Sequence, residues 1–109
     1  MYNDKILSGI VIDAGHGGED PGAINGTKRE KDYNLEVSKY MYERFKELGI
    51  PVKLTRETDE TLSHDERVKR VLSAFGNSEN VVLLSNHINA GGGEGAEVVY
   101  ALRDTNKLA

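Results

Sequence analysis

The sequence contains no cysteine and no tryptophan, and it has only two prolines. Without cysteine the chain has no disulfide framework, no thiolate zinc site and no cysteine nucleophile. Any metal ion must therefore bind His, Asp or Glu side chains. The sequence also lacks an apolar run long enough to cross a membrane, and no positively charged leader followed by a long apolar region precedes the first strand signal.

A basic excess is absent as well. The 14 Lys and Arg residues are outnumbered by 18 Asp and Glu residues, which gives a formal net charge of -4. A nucleic-acid surface normally appears as a basic excess or a basic stripe, whereas the basic residues here are scattered. We therefore expect neither a nucleic-acid partner nor a membrane partner. At 109 residues the chain is expected to be one domain with one modest core.

Strand and helix signals alternate along the chain. Short β-branched runs predict strands, and apolar spacings of three and four predict helices. The predicted strands cover 9–14, 52–55, 81–84 with an extension to 87, and 96–102. The predicted helices run from 31 or 32 to 48 and from the Ser63 capping box to Gly76. This order is typical of an α/β fold, with a mostly parallel sheet and helices packed on its faces in three layers.

The stretch from Ile10 to Ala23 organises the rest of the chain. It begins as a buried strand and continues as a glycine-rich loop, with His16 at the transition. In open α/β sheets, ligands bind outside the carboxyl ends of the strands. A histidine presented there between glycines is a candidate for chemistry, although glycine-flanked polar residues also serve as simple turn formers.

Three residues of metal-ligand type map to one edge of the predicted sheet. His16 follows the first strand, Glu30 lies just before or in the first turn of the first helix, and His87 ends the third strand. Two histidines and one carboxylate are the protein ligands of many hydrolytic zinc sites. On the residues alone the alternatives stay open, because His87 can simply bond to backbone and Glu30 can stabilise a helix amino terminus.

Several blocks of the sequence form a recognisable combination. They are Val-Ile-Asp-Ala-Gly-His-Gly-Gly at 11–18, Asp-Pro-Gly-Ala at 20–23, Arg-Glu-Lys-Asp-Tyr-Asn-Leu at 29–35, Leu-Thr-Arg at 54–56 and Leu-Ser-Asn-His-Ile-Asn-Ala at 84–90. In order and in intervals these blocks resemble the motifs of one enzyme family, the zinc-dependent N-acetylmuramoyl-L-alanine amidases. The resemblance spans nearly the whole chain.

The resemblance implies that His16, Glu30 and His87 bind zinc. It also implies hydrolysis of the amide between N-acetylmuramic acid and L-alanine in bacterial peptidoglycan, so that the protein acts on the cell wall. A chain without a leader is compatible with a phage lysin or with removal of a leader.

Members of the family carry a catalytic glutamate near the carboxyl end of the domain, and the resemblance implies that its position falls beyond Ala109. We therefore expect residues 1–109 to be the N-terminal portion of a catalytic domain. Activity at this length is then in question. Three glutamates near the predicted edge are candidates for a replacement base within the chain, namely Glu19, Glu94 and Glu97.

Other polar residues have weaker functional interpretations. Asn89 and Arg56 are candidates for substrate binding, and Asn89 alternatively shapes the following glycine loop. Asp13 either orients His16 or has a structural turn role, and we favour the latter. The second helix is expected to expose a set of charged residues to solvent, comprising His64, Glu66, Arg67, Lys69 and Arg70.

Two alternatives to a hydrolase are compatible with parts of the sequence. Gly15 and Gly17 after a strand are found in dinucleotide-binding turns, but the third glycine position is Asp20, followed by Pro21, so no helix opens on the loop. The other alternative is a catalytically silent module that keeps zinc and binds the cell wall without turnover. Metal analysis separates the nucleotide hypothesis from the others, and an assay on peptidoglycan separates the remaining two.

Overall fold

The structure is a computed structural model that describes residues 7–76 and 80–88, together with the backbone of 96–103. Within these residues, two helices and six strands follow one another. In order they are β1 (Gly9–Ala14), β2 (Ile24–Asn25), β3 (Lys28–Arg29), α1 (Glu30–Glu47), β4 (Val52–Leu54), α2 (His64–Ser73), β5 (Val81–Ile88) and β6 (Ala96–Arg103).

The main sheet has four strands in the order β4-β1-β5-β6. The strand β1 is central and pairs in parallel with both β4 and β5, as the strand-helix-strand pattern predicts. The last strand, β6, is antiparallel to β5. All six residues of β1 are buried, because the strand has neighbours on both sides and helices over both faces.

Alternation along the strands places the two helices on opposite faces of the sheet. Asp13 and its β5 neighbour Ser85 share one face, where Asp13 binds Arg67 of α2. The next residue of β5, Asn86, points to the other face and donates a hydrogen bond to Ser38 of α1. The three-layer α/β architecture predicted from the sequence is therefore confirmed.

The sheet-facing side of α1 differs from the prediction. Val37, Tyr40 and Leu48 were expected on the apolar face, but they are exposed. The residues buried in the helix are polar instead, namely Glu30, Lys31, Asn34 and Ser38. This side of α1 is polar because it contacts the loop after β1, whose backbone groups need hydrogen-bond partners once they are buried.

The glycine-rich loop contains a small hairpin that the sequence interpretation did not include. The strands β2 and β3 have two residues each and pair with each other in antiparallel orientation, and β3 leads directly into α1. A carbonyl of the loop also accepts the first amide of the helix, since Glu30 N donates to Ala23 O at 2.8 Å. The hairpin therefore fixes the point at which α1 begins. In the described part of the chain, no helix is long and apolar enough to span a membrane.

Candidate metal centre

His16, Glu30 and His87 lie together at the carboxyl edge of the parallel strands. We call these three residues the His-Glu-His cluster. One ligand atom from each residue can be chosen so that all three atoms lie within 4.8 Å of one another. Glu30 Oε2 is 3.3 Å from His16 Nε2 and 3.3 Å from His87 Nδ1. Residues far apart in sequence thus meet because the ends of β1 and β5 and the start of α1 lie at one edge of the sheet.

Glu30 is the buried member of the cluster, with 7% of its surface exposed. Its Oε1 accepts the backbone amide of Ala23 at 3.0 Å, and its Oε2 accepts that of Ile88 at 3.0 Å. Burial alone would raise the pKa of Glu30, but these hydrogen bonds and a further one from Asn34 hold its pKa below the ordinary value. The carboxylate is therefore ionised at neutral pH and fixed in direction.

His16 is oriented from behind by a second carboxylate. Its Nδ1 lies 2.8 Å from Asp20 Oδ2, which leaves Nε2 directed at Glu30. A carboxylate in this position selects the ring tautomer and increases the basicity of the other nitrogen. The hydrogen bond to His16 lowers the pKa of Asp20. The sequence interpretation missed this role of Asp20 and considered Asp13 for it.

Two glycines leave the room that the cluster occupies. A Cβ at Gly15 would clash with the imidazole of His87. At Gly22 an added Cβ would lie 2.7 Å from both Glu30 Oε1 and His16 Cδ2, and the backbone there has φ +70°. A steric clash therefore disfavours any residue other than glycine at both positions. At Gly22 the backbone conformation disfavours it as well.

A cavity of about 390 Å³ opens beside the cluster. It has room for a small ligand or a few residues of a peptide. Its described lining comes from the loop after β1, from β5 and from the α2 side, and consists of Asp13, Gly15, His16, Asp20, Leu62, His64, Arg67 and His87. Two of the three cluster members thus face a space that a substrate can enter.

Arg56 is a buried residue that contacts the loop after β1. It was expected either to hold a substrate carboxylate or to form a surface ion pair, but only 2% of its surface is exposed. Its guanidinium donates hydrogen bonds to backbone carbonyls instead, those of Ala14, Gly15, Lys31 and Thr58. Arg56 therefore fixes the loop that presents His16, and its buried position gives no support to substrate binding.

The charged face predicted for α2 is also corrected. Arg67 points inward, with Nη1 at 2.6 Å from Asp13 Oδ1, and donates further hydrogen bonds to the carbonyls of Ala14 and His16. His16 needs such support because its backbone φ of 63° is unusual for a residue other than glycine. Asp13 binds Arg67 rather than His16, so its role is structural, although it lies in β1 and not in the turn that was favoured for it.

Arg70 is also engaged. It donates to the carbonyl of Thr55 and forms ion pairs with Glu60 and Glu66. His64 is exposed, as expected, and it lines the cavity.

A buried lysine connects the glycine loop to the segment after β4. Lys31 Nζ donates to Gly18 O at 2.8 Å and to Asp59 Oδ2 at 2.7 Å, while Asp59 Oδ1 accepts the Gly18 amide at 2.7 Å. The ion pair with Lys31 lowers the pKa of Asp59. Nothing in the apolar periodicity identifies these partners, because they are separated by 28 residues and meet only in the fold.

The remaining predicted site residues are less defined. Asn89 and Glu94 lie outside the described residues. The backbone register of β6 places Glu97 opposite His87. Glu19 is exposed, and its backbone amide donates to Thr61 Oγ1 at 2.9 Å. Among these candidates for a replacement base, only Glu19 is therefore described with its surroundings.

Comparison with known proteins gives one consistent class. Residues 10–109 match the family model described as N-acetylmuramoyl-L-alanine amidase. The chain is 40% identical over 82 residues to the uncharacterized protein YqiI of Bacillus subtilis, covering 75% of this chain and 38% of YqiI. It is 35% identical over 96 residues to the germination-specific N-acetylmuramoyl-L-alanine amidase of the same organism, covering 77% of this chain and 40% of that protein.

A solved structure agrees with these relatives. The catalytic domain of CwlV, an N-acetylmuramoyl-L-alanine amidase from Bacillus (Paenibacillus) polymyxa, superimposes with a TM-score of 0.66 at 33% identity, covering 77% of this chain and 46% of that one. The chain belongs to the N-acetylmuramoyl-L-alanine amidase family. It spans about two fifths of the length of the first two relatives.

Proposed function

We propose that the protein is a zinc-dependent hydrolase that cleaves the amide between N-acetylmuramic acid and L-alanine in peptidoglycan, and that it acts at the cell wall. The observation that carries the proposal is the His-Glu-His cluster at the mouth of a cavity, in a chain of this family. The chain's similarity to named amidases supports the substrate class.

The cluster fits zinc in donor type and in spacing. Two imidazole nitrogens and one carboxylate oxygen are suitable ligands, and a tetrahedral ion with ligand distances of roughly 2.0–2.1 Å separates neighbouring ligand atoms by about 3.3 Å. Glu30 Oε2 lies 3.3 Å from the nearest nitrogen of each histidine. We therefore assign His16, Glu30 and His87 as the zinc ligands. Zinc bound there supplies Lewis acidity that polarises a carbonyl and activates water.

The protein groups around the cluster have separate tasks in this proposal. Glu30 is held ionised by backbone amides, and Asp20 keeps the Nε2 of His16 available. Arg56 and Arg67 immobilise the loop that carries His16, so that the ligands are positioned before any metal arrives. Preorganisation of this kind reduces the reorganisation needed during reaction.

Zinc analysis of ligand variants tests the metal site. The wild-type chain should retain one zinc per molecule after dialysis against a weak chelator, and His16→Ala and His87→Ala should not. The exposed residue His64 provides a matched control, because His64→Ala also removes an imidazole but should leave the zinc content unchanged. Full zinc in both ligand variants would contradict the assignment.

Release of new L-alanine amino termini from purified cell wall tests the reaction. We expect the 109-residue chain to release them slowly, because a positioned carboxylate acting as acid and base typically contributes 10²- to 10⁴-fold and none is assigned in this chain. If release is nevertheless rapid, loss of activity in Glu19→Gln, Glu94→Gln or Glu97→Gln would identify the substitute. Zinc binding with no release at all would instead support a non-hydrolytic wall-binding module.

A further inference from the structure

The part of the cavity lining that comes from α2 and the residues before it has its own chemistry. Leu62 supplies an apolar surface, while His64 and Arg67 lie one helical turn apart on α2 and supply nitrogen donors. His64 is exposed on this wall, and its imidazole presents an N–H donor in either protonation state. This combination of one apolar and two donor groups differs from the metal-ligand chemistry of His16 and His87, which line the same cavity.

Donor capacity on this wall exceeds what the protein uses. Arg67 Nη1 binds Asp13 and Ala14, and Nη2 binds His16, which accounts for three of the five guanidinium N–H groups. The other two, on Nε and Nη2, have no acceptor among the described residues. His64 likewise makes no hydrogen bond to another residue in the described part of the chain. The wall can therefore donate to a ligand without breaking any of these bonds.

The two carboxylates in the described lining of the cavity are already engaged. Asp13 accepts hydrogen bonds from Arg67, Thr55 and Ser85. Asp20 accepts from His16 and from the backbone amide of Gly22. The acidic side chains thus face donors of the protein on the loop side, whereas the α2 side presents unused donors. A ligand carboxylate is favoured on the α2 side for this reason.

We propose that Leu62, His64 and Arg67 form a subsite for an acidic peptide, in which His64 and Arg67 donate hydrogen bonds to a carboxylate of the peptide. The subsite rests on the proposed function and extends it, since it names the surface that holds the peptide side of the substrate while the amide lies at the His-Glu-His cluster. His64 is then a residue that determines specificity for an anionic peptide, a role that its solvent-exposed position on a helix does not indicate by itself.

Binding of a charged peptide and of its neutral counterpart tests the subsite. The probes are N-acetyl-L-alanyl-D-glutamate and its uncharged diamide, titrated into the 109-residue chain with zinc present and followed by backbone amide shifts in NMR. Wild type should bind the acid about tenfold more tightly than the diamide. His64→Ala should reduce this ratio by about threefold to tenfold, the effect of one exposed charge-assisted hydrogen bond.

Two further variants make the result specific. His64→Gln keeps an N–H donor and should retain part of the preference for the acid. Lys69→Ala removes a positive charge from the same helix, outside the described lining of the cavity, and should leave the ratio unchanged. An unchanged ratio in His64→Ala, or a wild-type chain that binds neither probe or both equally, would overturn the subsite. Zinc content, measured on the same samples, reports separately on the proposed metal site.

Discussion

Arg67 Nη1 lies 2.6 Å from Asp13 Oδ1, in an ion pair that joins α2 to the end of β1 directly beside the cluster. Burial alone would raise the pKa of Asp13, but hydrogen bonds from Arg67, Ser85 and Thr55 outweigh it and hold the pKa below its ordinary value of 3.8. The ion pair therefore stabilises the folded state in the pH range where Asp13 is ionised.

The first prediction concerns this ion pair. Asp13→Asn should lower the free energy of unfolding at neutral pH by about 2–4 kcal/mol, because it leaves the part-buried guanidinium of Arg67 without its counter-charge. Since the folded-state pKa of Asp13 is depressed, its contribution is full above the unfolded pKa of about 4 and is lost as the pH falls through the folded pKa. Urea unfolding at pH 7, 5 and 3 should show the difference between the two proteins shrinking below about pH 4.

A surface pair provides the control for this measurement. Arg44 and Glu47 are paired at 2.8 Å with more than half of each side chain exposed. Glu47→Gln should change the free energy of unfolding by no more than about 0.5 kcal/mol at any of these pH values. A difference between wild type and Asp13→Asn that stays constant from pH 7 to pH 3 would show that the charge of Asp13 does not stabilise the fold.

The second prediction compares two glycines of similar backbone conformation. Gly22 has φ +70° and Gly26 has φ +66°, so alanine should cost about 1 kcal/mol of stability at either position. Only at Gly22 does the added Cβ approach Glu30 and His16, since nothing lies within 4 Å of it at Gly26. Gly22→Ala should therefore weaken zinc binding at least tenfold, and Gly26→Ala should not change it. Competition with a chromophoric chelator measures both, and equal zinc affinities would refute a spatial role for Gly22.

The third prediction concerns the carboxylate behind His16. Asp20→Asn keeps the shape of the side chain but removes its charge, so His16 Nε2 should become a weaker ligand. Removal of a carboxylate that supports a metal ligand typically weakens metal binding by about 10- to 100-fold. Because the Asp20 side chain is 64% exposed, we expect a loss of zinc affinity near the lower end of this range, about tenfold. Glu36→Gln, an exposed change of the same kind on α1, is the control. No loss in Asp20→Asn would show that Asp20 does not tune the ligand.

Much of the site follows from the order of elements. His16, Glu30 and His87 each lie near the end of a strand or the start of a helix. Parallel strands bring such positions to one edge of the sheet, so their proximity can be predicted before any side-chain contact is known. The strands of the main sheet were predictable for a related reason, since short β-branched runs leave few alternatives in a chain of this length, whereas the two-residue strands β2 and β3 carry no such run.

The supporting residues could not be found in the same way. A charged residue on a helix looks the same in sequence whether it faces water, as Lys69 does, or the end of a strand, as Arg67 does. Apolar spacing likewise misplaced Val37 and Tyr40, because the side of α1 that faces the loop needs polar groups such as Asn34. These assignments depend on which backbone groups become buried, and only the fold determines that.

The last prediction concerns the effect of metal on stability. The proposed ligands belong to three segments, the loop after β1, the start of α1 and the end of β5. Binding of zinc to the folded state alone should stabilise it by about 2.7 kcal/mol at a free zinc concentration 100-fold above the dissociation constant. For a domain of this size, that raises Tm by roughly 10 °C or more. The rise should disappear in His87→Ala and persist in His64→Ala, which separates specific binding from metal bound at an exposed histidine. Thermal unfolding followed by circular dichroism with and without zinc measures it, and an identical Tm in both conditions would argue that these three segments are not joined by a metal.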